Sequence, residues 1–341
     1  MANTNATDAA LQPYGGVIRE DVMSRIWDIS NIPLPLTDMI SKGTHKNQRT
    51  EWTEDELSPA VTDNAFVDGV DVDQNDSKLT TRLGNFTQIS LKEVQLSHSL
   101  EASDSIGNVG KLSYQVMERQ KELRRDVEAQ MLTYQGSAAG DGNTIPGISA
   151  GLGAQLKTNV DTNGGTAGGF NTTTGLFVAP IPGAARALSE TLIRDILQDV
   201  YVAGGNTNCL MARPVVIRAL SEYLFTDTAR VATLTSEQSQ NSPRALTAYG
   251  SVNVFVTDFG QTVTMKDNRL QPQDDTDEST MYFIDPSHLT QSFLRGYQVE
   301  QLAKTGLSDK RLMSAEYSLK CYSEKSQGAI YAIDETAAVV A

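Results

Sequence analysis

Hydrophobic and polar positions along this chain change rhythm several times, and the longest regular stretch runs from Asn108 to Tyr134. Leu112, Val116, Gln120/Leu123, Val127, Met131 and Tyr134 recur there at helical spacing, while Lys121, Glu122, Arg124, Arg125 and Glu128 fill the other side. Good helix formers add propensity along its length. The pattern predicts one amphipathic helix of about 27 residues, roughly 40 Å long, a strut that spans the molecule.

The flanks read differently. Val17 to Ile29 carries a short amphipathic pattern through Val22, Met23, Ile26 and Trp27. In Asn31-Ile32-Pro33-Leu34-Pro35-Leu36, two alternate prolines predict an extended backbone lying across another surface. Gln48 to Thr53 alternates around Trp52, and Leu79 to Leu83 leads through Gly84-Asn85 to Phe86, Ile89, Leu91, Val94 and Leu96. That alternation predicts a ribbon with one covered face. Thr53 to Lys78, between them, is acidic and rich in small residues. A two-stranded ribbon is marginal alone, so it must rest on something.

After the long helix, 11 of the 40 residues from Gly136 to Gly175 are glycine, which reads as loop or weakly ordered structure. Helix returns over 183–203, with Ala185, Leu188, Leu192, Ile196 and Val200 on one side. Leu210 to Ala212 reads as a short strand, and Pro214 opens another helix. Val252–Val256 with Thr262–Met265 reads as a strand pair, Met281–Ile284 as a strand, and Asp285-Pro286 as a helix start. Gln298–Ala303, Glu316–Tyr322 and Gly328–Ile333 read as three strands of a terminal sheet. The order is α+β.

Composition narrows the function. The net charge is -14, from 28 Lys plus Arg against 42 Asp plus Glu, a balance that repels nucleic acid in general. Cys209 and Cys321 are too few and too far apart for a disulfide framework or a zinc site, which points to a reducing compartment. The opening MANTNATDAALQPYGG lacks the features of a signal peptide. No apolar run approaches the roughly 18–20 residues needed to cross a bilayer. A soluble chain, cytoplasmic at synthesis and with no membrane partner, is expected.

Chemical motifs fail on inspection. Gly147-Ile148-Ser149-Ala150-Gly151 matches the G-x-S-x-G nucleophile elbow but lies in the glycine-rich tract, without the required strand before it. Asp71, Asp73 and Asn75 have calcium-loop spacing, yet Asp76 and Arg82 stand where glycine and glutamate are required. His45, His98 and His288 are isolated. Gly151-Leu152-Gly153 breaks the dinucleotide pattern, and no Walker motif exists. No catalytic, cofactor-binding or metal residue is expected, and no cofactor. Lys121, Arg124 and Arg125 have two readings. They pair along the helix with Glu122, Asp126 and Glu128, or they meet an acidic segment such as 54–76 of a neighbouring copy.

The order of elements, together with particular stretches, resembles a known family. The stretches are Glu20-Asp21-Val22 through Ile32-Pro33-Leu34-Pro35-Leu36-Thr37-Asp38-Met39-Ile40, Arg82-Leu83-Gly84-Asn85-Phe86-Thr87-Gln88-Ile89, Leu112-Ser113-Tyr114-Gln115, Lys121-Glu122-Leu123-Arg124-Arg125-Asp126-Val127-Glu128 and Pro146-Gly147-Ile148. They resemble the major capsid (major head) protein of tailed bacteriophages, of Hong Kong 97-type fold, in the subfamily without an attached scaffolding domain. By that resemblance 1–43 is the N-arm, 44–97 the E-loop, 98–139 the P domain with its spine helix, 140–279 the A domain and 280–341 the P-domain return.

The resemblance implies a structural protein that self-assembles as pentamers and hexamers into an icosahedral head enclosing double-stranded DNA. Its implied place is the virion capsid, after assembly in the cytoplasm of a bacterial host. Its implied partners are other copies of itself, a separate scaffolding protein, a portal protein and a cement or decoration protein. Packaged DNA would line the inner face without specific binding. Trp27, Leu34, Leu36, Trp52, Phe86, Lys121, Arg124 and Arg125 are the candidate inter-subunit contacts. The five apolar ones are expected to be exposed on a monomer and covered in the shell. A phage tail or portal-associated protein is the nearest alternative, and a serine hydrolase using Ser149 a more distant one. A secreted adhesin would show a signal and internal repeats, and neither is present.

Overall fold

A computed structural model describes residues 33–58, 60–69, 79–103, 111–224, 254–272, 278–304 and 306–340. The elements are, in order, α1 (Pro35–Met39), β1 (Ser41–Thr44), β2 (Arg49–Glu54), β3 (Thr81–Phe86), β4 (Gln88–Ser97), α2 (His98–Ala102), α3 (Lys111–Met131), α4 (Leu152–Gln155), β5 (Val160–Asp161), β6 (Gly169–Asn171) and β7 (Leu176–Val178). Then come α5 (Glu190–Val202), β8 (Cys209–Ala212), α6 (Pro214–Leu224), β9 (Val254–Val256), β10 (Thr262–Asp267), β11 (Glu278–Ile284), β12 (Leu289–Gln301), β13 (Ser308–Cys321) and β14 (Gly328–Asp334).

The long helix is α3. Its buried side carries Leu123, Val127 and Met131, with Leu112 and Val116 packed at the margin, as the periodicity predicts. It lies on a four-stranded sheet of order β1-β12-β13-β4. β13 alternates strictly. Met313, Ala315, Tyr317, Leu319 and Cys321 enter the core beneath α3, so Leu312, Ser314, Glu316, Ser318 and Lys320 face away from it.

The second sheet has order β5-β14-β11-β8-β10-β9. Its central strands are covered on both faces, so they read as continuous apolar runs. Cys209, Met211, Tyr282, Ile284, Ala329 and Tyr331 join the core under α3, while Leu210, Ala212, Met281, Phe283 and Ile330 pack against α5 and α6. The Tyr282 hydroxyl donates to the Leu132 carbonyl at 3.0 Å, and the Tyr331 hydroxyl donates to that of Gly153 at 2.7 Å. The first bond fixes the sheet to the end of the long helix, and the second fixes it to α4.

Four expectations change. Pro35 does not extend the chain: it occupies the first turn of α1, where its missing N–H costs nothing. β4 does not continue the ribbon, which is β2 with β3; it pairs along its length with β13. Its apolar residues split between faces by parity, with Val94 buried and Ile89 and Leu91 exposed on the side away from α3. β14 is not a third strand of the terminal sheet but a central strand of the six-stranded one, because it is apolar on both faces. Finally, the glycine-rich tract is loop at 139–146 and 172–174 as expected, but from Ser149 to Leu156 it is packed rather than weakly ordered. Ser149, Ala150, Leu152 and Ala154 are fully buried, and a Cβ on Gly151 would lie 2.1 Å from the Thr133 carbonyl oxygen. Glycine there permits a close crossing of two backbones. The expected amphipathic pattern over 17–29 lies outside the described residues.

Candidate functional site

The enzyme-like motifs become structural. Ser149 is fully buried, and its Oγ accepts from Asn85 Nδ2 at 3.2 Å and from the Leu319 N–H at 3.4 Å. Asn85, itself fully buried, also donates to the carbonyls of Ala150 and Leu319 and accepts the Ala150 N–H at 2.9 Å. The serine thus belongs to a hydrogen-bonded hub that joins the ribbon to the body. His45, His98 and His288 stand apart, against Ser292, Asp309 and Asp285 respectively. Among the described residues no group of three or more His, Cys, Asp or Glu is placed to hold a metal ion. Both cysteines are free and buried, and burial pushes the Cys209 thiol up to about 11 and the Cys321 thiol further.

The candidate contacts scatter. Trp27 lies outside the described residues. Leu34 is half-buried at the start of α1, and Leu36 is 0% exposed beneath α3. Trp52 is 8% exposed, stacked on Phe177 with ring centroids 6.2 Å apart and edge-on to Tyr322. Leu36 and Trp52 are therefore covered by their own chain, contrary to the expected exposure on a monomer. Phe86 is half-buried under the Arg49 guanidinium at 5.5 Å. Lys121 pairs with Glu118 at 2.8 Å, along the helix. Arg124 lies over the Tyr297 ring at 5.4 Å, and Arg125 is half-buried.

One residue escapes the sequence pattern. Glu128, placed by periodicity on the charged face of α3, is fully buried. Its carboxylate accepts the N–H groups of Leu36 and Thr37 at 2.8 Å each, the Thr37 hydroxyl, and Asn268 Nδ2 at 2.8 Å. It supplies from a distant segment the acceptor that the first turn of α1 lacks. The only signal for it is Pro35, which marks a helix start but does not say what caps it.

The surface that the chain leaves uncovered lies elsewhere. Beyond the ribbon, Leu57 is 94% exposed and Leu79 90%, and Val61, Phe66 and Val67 are exposed as well. They sit among Glu54, Asp55, Glu56, Asp63 and Asp68. A second apolar surface lies on the face of the four-stranded sheet away from α3, where Ile89 and Leu91 are exposed beside a cleft of about 390 Å³. The loop carrying exposed Ile145 forms one wall of that cleft. Asp141 Oδ1 braces this loop by accepting the N–H groups of Asn143, Thr144 and Ile145 at 2.7–2.8 Å, which holds its carboxyl below the ordinary range. At the cleft, Glu316 is paired with Arg295 at 3.0 Å and accepts the Thr87 hydroxyl at 3.1 Å. Exposed apolar side chains grouped in this way are the kind of surface that commonly serves contact with another molecule.

A profile of the family described as SU10 major capsid protein matches residues 2–334. The chain belongs to that family. It is a structural, self-assembling capsid protein of the tailed-phage kind, its fold is of the Hong Kong 97 type, and its place is the virion capsid. The family is one of shell subunits, not of enzymes. A relative named major capsid protein, from Escherichia phage Phieco32, is 24% identical over 331 residues, covering 87% of this chain and 89% of its own.

Among solved structures, the capsid of a native GTA particle has a TM-score of 0.57 at 11% identity, covering 94% of this capsid protein and 98% of that chain. An encapsulin complex from Synechococcus elongatus has a TM-score of 0.53 at 11% identity, covering 95% of each chain. These two likenesses show the fold alone, since one of the structures is a capsid and the other an encapsulin. The family match separates them.

Proposed function

We propose that copies of this chain close, as pentamers and hexamers, into an icosahedral head around double-stranded DNA, assembled in the cytoplasm of a bacterial host. In this reading residues 1–43 are the N-arm, 44–97 the E-loop, 98–139 the P domain with α3 as spine helix, 140–279 the A domain and 280–341 the P-domain return. The strands at the base of the E-loop are β2 and β3. A separate scaffolding protein, a portal protein and a cement or decoration protein complete its partners, and the DNA lies against the inner face without specific binding.

The observation that carries this reading is the row of uncovered apolar side chains, Leu57, Val61, Phe66, Val67 and Leu79, on an acidic segment that its own chain leaves bare. Each is worth roughly 1.5–3 kcal/mol if fully buried. The surface that suits them is the face of a second copy bearing Ile89, Leu91 and the Ile145 loop, with Arg295 exposed at its side. Donor segment and acceptor face are different parts of the molecule, so the contact is heterologous, and it closes only by rotation into rings or shells.

Electron microscopy tests the reading. The purified chain, alone and with its scaffold candidate, is expected to give round shells or curved sheets. Monomers or small discrete oligomers in both preparations, across salt and concentration, would overturn it.

A further inference from the structure

The ribbon meets the body at a second cleft, of about 200 Å³, walled by Leu83, Phe170 and Phe177. Two carboxylates, Glu54 and Glu324, line the same space. Glu54 is the last residue of β2 and pairs across the ribbon with Thr81, where the two strands leave the body. Glu324 begins the short 3₁₀ turn before β14.

The two acids are placed differently. Glu324 accepts the N–H groups of Lys157 and Thr158 at 3.0 and 3.1 Å, and the Thr158 hydroxyl, so its charge is held where it stands. Glu54 is half-buried and, among the described residues, accepts only the backbone N–H of Glu324. Among the described residues neither carboxylate has an ion pair with lysine or arginine. The cation that acts most on Glu54 is Lys325, whose ammonium is bonded to Glu56 at 2.5 Å. Lys157 also lines the cleft, and its aliphatic stem packs close to Gly169. The Cys321 thiol at the cleft is buried and neutral. Among the described residues, the charged or titratable groups that act on Glu54 or line its cleft are Glu324 and Lys325 from the turn, Glu56 from its own segment, Lys157 from the stretch after α4, and Cys321 from β13.

We propose that the Glu54–Glu324 contact is an acid-set latch, in which a neutral Glu54 keeps the ribbon seated on the body and an ionised Glu54 lets it pivot away. Burial first, and the Glu324 charge second, hold the Glu54 carboxyl above its ordinary range. A raised value in the seated state means that seating is fully favoured below the ordinary carboxylate value. It weakens as pH climbs through the raised one. The hub at Asn85 and the Trp52 stack lie nearer the body and do not titrate, so the movement is confined to the ribbon beyond them. Its consequence for assembly rests on the capsid reading, in which this ribbon crosses to a second copy; the latch itself does not.

Amide hydrogen exchange by mass spectrometry on unassembled full-length chain, at about pH 5 and about pH 8 and corrected for the intrinsic rate, tests it. The amides of 53–56 and 79–82 are expected to open about fivefold more at the higher pH, while those of β11 do not change. Glu54→Gln, the uncharged isostere, stays protected at both values. Glu324→Gln flattens the dependence independently, should Glu54→Gln fold poorly. Equal corrected protection in the wild type at both pH values, or a Glu54→Gln ribbon that opens as the wild type does, would overturn the latch. Shell formation is scored separately, so either result leaves the capsid reading to its own test.

Discussion

β11 and β2 are strands of similar length in the same chain, and they are finished in opposite ways. β11 runs between β14 and β8 and is buried at every position from Ser279 to Ile284. Tyr282 and Ile284 enter one core, Met281 and Phe283 the other. Among the described residues β2 pairs only with β3, and only Thr50 and Trp52 of its six residues are buried. Beyond it the chain leaves large apolar side chains bare. The difference lies in neighbours rather than in strand propensity. A segment flanked by its own chain completes its burial there, and a segment with one strand partner leaves its burial incomplete. On the proposed shell reading the two regions divide the work, one making a subunit and the other joining subunits.

Breaking the finished region has the largest effect. Phe283→Ala is expected to cost about 3–5 kcal/mol by leaving a cavity. Urea unfolding reads that loss, and shells fail because subunits fail. Glu128→Ala strands the buried donors of Leu36, Thr37 and Asn268, at about 3 kcal/mol or more. Its thermal midpoint falls, while Glu128→Gln, which keeps an acceptor, falls less.

Trp52→Ala sharpens the boundary between the regions. Because Trp52 is packed on Phe177 within its own chain, the loss is expected first as faster amide exchange in β2 and β3. That differs from the sequence-based expectation of a residue exposed on the monomer and covered only in the shell. Leu57→Asp with Phe66→Asp acts only on the unfinished region. Stability is expected to stay within about 0.5 kcal/mol of wild type, while the yield of shells by sedimentation collapses. Unchanged shells would place the joining surface elsewhere.

The sequence revealed the finished region better than the unfinished one. α3, β8, α6 and the β9–β10 pair lie close to where apolar spacing puts them, because a core-facing residue repeats with the period of its element. Parity was the weak point. Phe86, Ile89, Leu91, Val94 and Leu96 read as one covered face, yet Ile89 and Leu91 fall on the side opposite Val94.

Composition misled over the glycine tract, since its burial rests on contacts made across long stretches of sequence, chiefly Asn85 with Ala150 and Gln155 with Leu319. Glu128 looked like a surface charge because its partners lie 91 or more residues away. Apolar type alone nominated Leu36 and Trp52 as joining residues. What separates them from Leu57 and Leu79 is tertiary cover, which the local pattern does not carry.

The smallest expected effect is also useful. Cys209, its thiol raised to about 11, and buried Cys321 should scarcely react with a maleimide near neutral pH until the chain is unfolded. That silence permits one direct test of the claim that neighbours finish what this chain leaves bare. Leu57→Cys would be labelled in free subunits and in purified shells, and the two rates compared. The account predicts fast labelling in the subunit and strong protection in the shell. Equal labelling in both would contradict it.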